Sequence, residues 1–462
     1  MRPVLLVVLS LFAGLSQAAD VTLPDYERVV LDNGTVLLLS EKHEVPLIGL
    51  QAVVRGGSVA DPADKAGLAE LLATVMQKGA GDRDAAEFAA AAAGVGGRLT
   101  VGARIESIDV SAEFLSRDAE LMIELVSDVL LRPTLAEEEF DKERERAIGL
   151  IGAAKDSDPN NLMPYYASGF LFGAHPYGSP TIGSESSLTR IERDDLVSFY
   201  ADHFGGDRLI VSVVGDFDLA AMKARLAAVF GKWEPAAAEL PTVNPAEKRP
   251  GGRVLLVDKP GATQTYFWIG NVGVDINYPR RAELDLANRV FGGSFTSMLM
   301  TELRVNTGLT YTARSVINRL ATPGSVTIRS FTETSTTIDA IDLAVSVLGR
   351  LRDGGLSDER VASARALILG QFPTRLETAS SLANMFAFLE QYGLDRSYID
   401  AYGSALEAAA TESISMTINE VYPGLDDLVF VLIGDADAIR EDVAKYGTVT
   451  EMSIMEPSFK PQ

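Results

Sequence analysis

The histidines of this chain are too few and too far apart to build a metallopeptidase site alone. His43, His175 and His203 are the three present, and no two are four residues apart, so no helix offers two imidazoles to one metal ion. Cysteine is absent, which excludes a thiol nucleophile, a thiolate metal site and a disulfide framework. No Gly-x-Ser-x-Gly elbow of a serine hydrolase is present either. A self-sufficient hydrolytic centre is therefore not predicted.

A helix with a notable polar face is predicted between Asp64 and Gly79. Its apolar face is formed by Leu68, Leu71, Leu72, Val75 and Met76, which recur at helical spacing. The opposite face carries Glu70, Ala73, Thr74 and Gln77 at positions i, i+3, i+4 and i+7. This spacing would let a helix present two metal ligands and a base. One carboxylate beside an alanine and a threonine is not a zinc site, however.

The segment around this helix resembles the active-site helix of the pitrilysin/insulinase-type peptidases. The likeness rests on Gly56-Gly57-Ser58 and on the run from Lys65 to Gly79. Catalytic members of that family carry His-x-x-Glu-His there. The resemblance places Glu70 and Thr74 at the two histidine positions and Ala73 at the position of the catalytic glutamate.

The third zinc ligand of that family is a glutamate that precedes an Asp-x-Pro sequence. Ahead of Asp156-Ser-Asp-Pro159 the corresponding position holds Ile151. The resemblance therefore implies that all three ligands and the base are missing. We expect this chain to bind no cofactor itself, and we expect zinc on a partner chain.

A second segment, Phe291 to Tyr311, resembles the same family equally well. It contains the Gly-Gly, Ser-x-Leu and Leu-Arg-x-x-x-Gly-Leu-x-Tyr elements, and Arg304 and Tyr311 keep the family spacing. The resemblance implies that this pair reaches across a chamber to the zinc site of the opposite lobe. Arginine suits a substrate carbonyl or carboxylate, and tyrosine suits an oxyanion. The alternative is a surface salt bridge for Arg304 and a half-buried strand tyrosine.

Two landmarks that recur at nearly one offset indicate an internal duplication. Leu135 to Arg144 opens a helix after a turn, and Leu356 to Arg365 does the same in the second half. The apolar run Leu209–Val214 ends in Gly-Asp, and so does Leu428–Ile433. Between the two copies lies a proline-rich stretch, Glu234 to Gly252, which is typical of a linker.

The fold expected from this pattern and from the resemblance is α+β, with two homologous lobes that each contain a largely antiparallel sheet with helices on one face. The resemblance covers roughly residues 28–440. We predict a signal peptide over 1–18, an N-terminal lobe over 19–235, a linker over 236–252 and a C-terminal lobe over 253–462.

The net charge of −23 opposes binding to nucleic acid or to anionic lipid headgroups. Arg2, the apolar run Val4–Ala13 and Ser16-Gln17-Ala18 have the order of a secretory signal. That run is too short to span a membrane, and the remaining chain has no apolar stretch of the required length. We expect an exported protein, periplasmic if bacterial, without membrane insertion.

The function that the resemblance implies is that of a zinc-free subunit of a heterodimeric peptidase. Arg304 and Tyr311 would be contributed to a zinc-binding homologous partner, and the substrate would be an unfolded peptide. Two alternatives stay open. In one, the chain is a non-catalytic scaffold in which the pair is a remnant; in the other, it forms a self-paired dimer that binds peptides without turnover.

Overall fold

The computed structural model describes residues 21–354 and 356–461. The predicted signal peptide, residues 1–18, lies outside the described residues. No helix in the described part of the chain combines the length and the apolar run that crossing a bilayer requires.

From residue 21 onward, the first half of the chain forms a six-stranded sheet, a small hairpin and eight α-helices. Its strands are β1 (Glu27–Val30), β2 (Val36–Glu41), β3 (Leu47–Arg55), β4 (Gly79–Ala80), β5 (Arg83–Asp84), β6 (Arg98–Ala103), β7 (Ser107–Leu115) and β8 (Leu209–Gly215). Its helices are α1 (Leu68–Met76), α2 (Ala85–Gly94), α3 (Ala119–Leu131), α4 (Glu137–Ser157), α5 (Met163–Phe172), α6 (Glu185–Leu188), α7 (Arg193–His203) and α8 (Leu219–Phe230).

The second half forms another six-stranded sheet and eight further α-helices among the described residues. Its strands are β9 (Arg253–Asp258), β10 (Gln264–Val272), β11 (Ala313–Asn318), β12 (Ser325–Glu333), β13 (Val429–Gly434) and β14 (Thr448–Ser453). Its helices are α9 (Arg281–Phe291), α10 (Thr337–Arg352), α11 (Asp358–Gln371), α12 (Ala379–Gln391), α13 (Ser397–Asp400), α14 (Tyr402–Ala408), α15 (Thr411–Val421) and α16 (Ala436–Val443).

The two sheets share one topology. The first has the order β1-β2-β8-β3-β7-β6, and the second, read from its other end, has the order β14-β9-β13-β10-β12-β11. The pair β2–β8 of the first sheet and the corresponding pair β9–β13 of the second are parallel. In both sheets the next three pairs in this order are antiparallel. Only the outermost strand differs, since β1 is antiparallel to its neighbour and β14 is parallel. The predicted α+β fold with two homologous, largely antiparallel lobes is confirmed.

Each sheet is covered on both faces, which the sequence did not predict. The helices of a half cover one face of its own sheet, and the other face receives one helix from the other half. Helix α12 lies against β3 and β8, and α5 lies against β10 and β13. The central strand β8 is consequently buried along its whole length, Leu209–Gly215. This reciprocal contact holds the halves together.

A carboxylate in the turn between β6 and β7 also joins the two halves. Glu106 accepts hydrogen bonds from the hydroxyl of Tyr177 in the first half and from that of Tyr392, at 2.8 Å, in the second. The backbone N–H of Ala321 donates to the same carboxylate at 3.1 Å. Residues 236–252 contain no helix or strand. The lobe boundaries given above stay a prediction.

Candidate functional site

The helix predicted between Asp64 and Gly79 is α1, and its start is fixed by a half-buried acid. Gly67, which precedes α1, has a positive φ of 93°, and the Asp61 carboxylate accepts the backbone N–H groups of Gly67 at 2.8 Å and Ala69 at 2.9 Å. Burial raises the pKa of Asp61 to about 7, against the lowering effect of these hydrogen bonds. The predicted apolar face, Leu68, Leu71, Leu72, Val75 and Met76, is buried as expected.

The four degenerate motif positions do not fit a zinc ion. Ala73 of α1 and Ile151 of α4 are buried in the apolar core of the first half. Glu70 and Thr74 are half-buried, and a single carboxylate with a hydroxyl falls short of the three protein ligands that a catalytic zinc needs. Within the described ranges, no group of three or more His, Cys, Asp or Glu side chains is placed to hold a metal.

Glu70 is half-buried and has a structural partner in the first sheet. Its Oε2 accepts the backbone N–H of Ala103, the last residue of β6, at 2.8 Å. Gln77, which directly follows α1 and lies two helical turns after Glu70, donates to the carbonyl of Val101 at 2.8 Å. The polar face of α1 thus binds the outermost strand of the first sheet. This contact joins residues far apart in sequence, so no local pattern predicts it.

Burial raises the pKa of Glu70, opposed by the hydrogen bond from Ala103. The folded chain therefore holds the Glu70 proton more tightly than the unfolded chain does. As pH rises from the ordinary carboxyl range through the raised pKa, this residue lowers the free energy of unfolding. Glu70→Gln keeps an oxygen for Ala103 but cannot ionise. We predict that its stability relative to the wild type increases with pH across this window.

Urea unfolding of both proteins at a series of pH values measures this difference. Glu145→Gln, at an exposed position of α4, is the control and should follow the wild type throughout. A Glu70→Gln variant whose stability difference from the wild type is constant with pH would contradict the prediction.

The second predicted group, Arg304 and Tyr311, lies in a different setting. Arg304 is in a π-helix, Met300–Asn306, and Tyr311 follows in the loop that leads to β11. π-Helical turns are rare and occur mostly at functional sites. Buried Met300 and Leu303 anchor this helix, and an ion pair of 3.3 Å joins its Glu302 to Arg350 of α10. The backbone beneath Arg304 is thus held by the core.

The Gly-Gly element of the matched segment makes room for β11. Gly292 accepts a hydrogen bond of 3.2 Å from the backbone N–H of Ser315 in β11. A Cβ atom on Gly292 would lie 2.3 Å from the nitrogen of Ser315, closer than real Cβ atoms come to anything. Only glycine fits here, and this close approach fixes where β11 begins relative to the end of α9.

Arg304 lies between two aromatic rings at the surface. Its guanidinium carbon is 4.5 Å from the ring centre of Tyr311 and 5.0 Å from that of Phe295. Tyr311 is 70% exposed and Phe295 is 65% exposed. These distances are typical of cation–π contacts. The three side chains line a cleft of about 620 Å³ along β11, the outermost strand of the second sheet. Phe295 lies within the matched segment, but we predicted no role for it from the sequence.

Neither alternative for this pair is found in the structure. No carboxylate lies within 4 Å of the Arg304 guanidinium among the residues that the structure describes, so it is not in a surface salt bridge. Tyr311 lies outside the strands and is exposed rather than half-buried. The structure leaves both side chains facing solvent at a cleft. The catalytic roles of Arg304 and Tyr311 stay a prediction.

The two groups of residues lie in different halves of the chain. No hydrogen bond or ion pair between described side chains joins the α1 positions to Arg304 or Tyr311.

His175 and His43 have local roles. The His175 ring accepts the backbone N–H of Tyr177 at 3.1 Å, and exposed His43 is 2.7 Å from Asp216. The hydrogen bond to that carboxylate raises the pKa of His43.

Two family models match the chain. Residues 36–184 match the model described as insulinase (peptidase family M16), and residues 190–368 match the peptidase M16 inactive domain. An uncharacterised zinc protease of Mycobacterium leprae is 28% identical over 77% of this chain and 80% of its own length. A non-peptidase homolog of Helicobacter pylori is 24% identical over 93% of this chain and 97% of its own.

Solved structures show the same fold. A peptidase M16 inactive domain from Pseudomonas fluorescens superimposes with a TM-score of 0.83 at 21% identity, over 93% of this chain and all of that one. The periplasmic protease PqqL of Escherichia coli superimposes with a TM-score of 0.74 at 14% identity. That match covers 89% of this chain but only 46% of PqqL, so PqqL is about twice as long.

Proposed function

This chain belongs to the insulinase family of peptidases (peptidase family M16), and we propose that it is the zinc-free subunit of an exported heterodimeric metallopeptidase. In this proposal a homologous partner chain carries the zinc ion. This chain supplies Arg304 and Tyr311 to the partner's site, and it has no peptidase activity when it is alone.

One observation carries the proposal. The two residues of the arginine–tyrosine pair are present, stacked and open to solvent, whereas three of the four metal-site positions hold Ala73, Thr74 and Ile151. An exposed tyrosine and an unpaired arginine contribute little to stability, so a purely structural role does not account for them. A partner that provides the missing metal does account for them.

The length of PqqL supports a two-chain assembly. Because this chain superimposes on slightly less than half of PqqL, a complete peptidase chamber would need two such units. In this chain both lobes are already joined by α5, α12 and the Glu106 hydrogen bonds. The second unit would therefore come from another chain. In the proposed complex that chain is a zinc-binding homologue, which supplies the metal as well.

The chemistry assigned to this chain follows from its two exposed groups. Zinc and its bound water would be supplied by the partner. The guanidinium of Arg304 holds a substrate carbonyl or carboxylate. The hydroxyl of Tyr311 donates a hydrogen bond to the oxygen on which negative charge develops during peptide hydrolysis. The substrate is an unfolded peptide that can enter a closed chamber.

The signal-like sequence at residues 1–18 supports export, and the periplasm is the expected compartment if the source is bacterial. The partner must then be exported as well. The high negative charge is consistent with a protein that stays in solution rather than at an anionic lipid surface.

Isolation of the chain from its native exported fraction under mild conditions tests the proposal. We expect a 1:1 complex with a second polypeptide that carries His-x-x-Glu-His, and one zinc ion for each pair of chains. Native mass spectrometry gives the stoichiometry, and elemental analysis gives the zinc content. A zinc-free monomer or homodimer as the only species would overturn the proposal.

The second candidate function is a scaffold or peptide-binding protein of the same fold. The match to a non-peptidase homolog over nearly its whole length favours it. In that case Arg304 and Tyr311 are remnants, and replacing both leaves peptide turnover by any complex unchanged. A homodimer that binds peptides without hydrolysing them would be the form of this candidate that needs no partner chain.

A further inference from the structure

A cavity of about 570 Å³ lies between the two halves, apart from the Arg304 cleft. Helix α5 of the first half contributes Tyr165 and Leu171 to its wall. Across from α5, β10 contributes Trp268, β12 contributes Arg329 and α12 contributes Phe388. Its volume falls in the range of pockets that bind small organic molecules, and most of its lining is apolar or aromatic.

The charge of this cavity is opposite to that of the protein. The chain has a net charge of −23, yet the only charged side chains that line the cavity are Arg319 and Arg329. Arg319 is paired with Asp285 at 3.0 Å, outside the lining. No carboxylate is among the described residues that line the cavity, so the positive charge of Arg329 is not balanced within the lining.

Arg329 is the unusual group. Its Nε atom is buried and makes no hydrogen bond, and no carboxylate of the described residues lies within 4 Å of its guanidinium. In the sheet it lies directly between Trp268 and another arginine, exposed Arg314, on the neighbouring strands. Burial lowers the pKa of Arg329. A half-buried cation without a carboxylate partner is costly, and a like charge on the next strand adds to that cost.

An anion bound at Arg329 would compensate its unpaired charge, and the residues that line the cavity determine which kind of anion fits. Guanidinium and carboxylate pair through parallel hydrogen bonds, while the Trp268 and Phe388 side chains favour an apolar body. Hydroxyl groups of Tyr165, Ser168 and Ser325 also line the cavity and can form a hydrogen bond with an amide or carbonyl group of the ligand. We propose that this cavity binds a small organic monocarboxylate with an apolar or aromatic body, with its carboxylate on Arg329.

The test uses N-acetyl-L-phenylalanine and its neutral primary amide as a matched pair. The chain has two tryptophans, Trp233 and Trp268, so Trp233→Phe leaves the emission of Trp268 as a reporter inside the cavity. In this background we expect a saturable change of emission with the acid and none with the amide. Arg329→Met should weaken binding of the acid about tenfold or more, because the charge-assisted bonds are lost.

Arg314→Met is the control, since Arg314 is directly opposite Arg329 on β11 but does not line the cavity. Its affinity for the acid should change far less than that of Arg329→Met, because only a neighbouring charge and no ligand contact is lost. Arg329→Lys keeps the charge and should keep part of the affinity if Arg329→Met does not fold. No binding of the acid, equal binding of acid and amide, or equal loss in Arg314→Met would overturn the proposal. Competition by inorganic phosphate at equal concentration would also overturn it, because the site would then be a general anion site.

Discussion

Replacing Tyr311 by phenylalanine should lower the kcat of the assembled peptidase complex about 100-fold and leave KM nearly unchanged. The hydroxyl of Tyr311 is exposed and free to donate to a substrate from the partner's side of the chamber. In the role proposed for it, that hydrogen bond forms when charge develops on the scissile oxygen. Losing it therefore raises the barrier of the chemical step rather than the cost of binding.

Arg304→Ala should act differently on the same reaction. In its proposed role the guanidinium holds the substrate before and during the reaction, so its loss should raise KM as well as lower kcat. It is also 4.5 Å from the Tyr311 ring and 5.0 Å from that of Phe295, and it holds the tyrosine in place. The two substitutions share a contact. Their effects should consequently be less than additive in the double variant.

The measurement is steady-state hydrolysis of an unstructured fluorogenic peptide by the complex with its zinc-bearing partner. Arg144→Ala is the matched control, because Arg144 also lies over an aromatic ring, that of Phe140 at 4.8 Å, but on α4 of the first half. It should leave kcat and KM as they are. Full turnover by the Tyr311→Phe, Arg304→Ala double variant, in a complex of unchanged mass, would favour the scaffold function instead.

Local patterns predicted the elements of the fold well. Alternating residues Ile108, Val110 and Ala112 are buried in β7 while Ser111 and Glu113 are exposed, as a strand with one core-facing side requires. The apolar face of α1 is buried as predicted. The repeated landmarks predicted two related sheets. In each case the signal lies within a few residues, because burial on one side of a strand or helix fixes the period of apolar side chains.

Contacts between distant segments were not predictable in this way. The strand β8 is apolar except for Ser212, but nothing in Leu209–Gly215 tells which helix covers either of its faces. The hydrogen bond between Glu70 and Ala103, and the lack of a hydrogen-bond partner for Arg329 Nε within the described part of the chain, likewise depend on where other elements lie. The metal-site positions were informative because alanine and isoleucine, at positions 73 and 151, cannot bind a metal ion wherever the other elements lie.

The reciprocal contact between the halves gives the prediction with the largest expected effect on stability. Gly49 of β3 is buried beneath the start of α12. A Cβ atom on Gly49 would lie 2.5 Å from the backbone nitrogen of Ser380 and 2.8 Å from the carbonyl carbon of Ala379. These are backbone atoms at the beginning of a helix, so they cannot rotate away as a side chain would. The whole of α12 would have to move off the sheet.

Gly49→Val should therefore lower the free energy of unfolding by about 3 kcal/mol, the upper end of what overfilling a well-packed interior costs. Gly102→Val is the matched control. Gly102 is also a strand glycine of the first sheet, and a Cβ there meets nothing within 4 Å. It should match the wild type or exceed it slightly, since valine favours strands. Urea unfolding followed by circular dichroism gives both values.

Limited proteolysis distinguishes loss of this contact from general destabilisation. If α12 leaves the sheet in Gly49→Val, the segment from Pro373 to Thr378 that leads into it should be cleaved much faster than in the wild type, before the rest of the chain is degraded. Equal stability and equal cleavage of the two glycine variants would mean that α12 does not lie on β3. The halves would then be joined by α5, by the Glu106 hydrogen bonds and by smaller contacts such as the hydrogen bond from Lys155 to the carbonyl of Glu456.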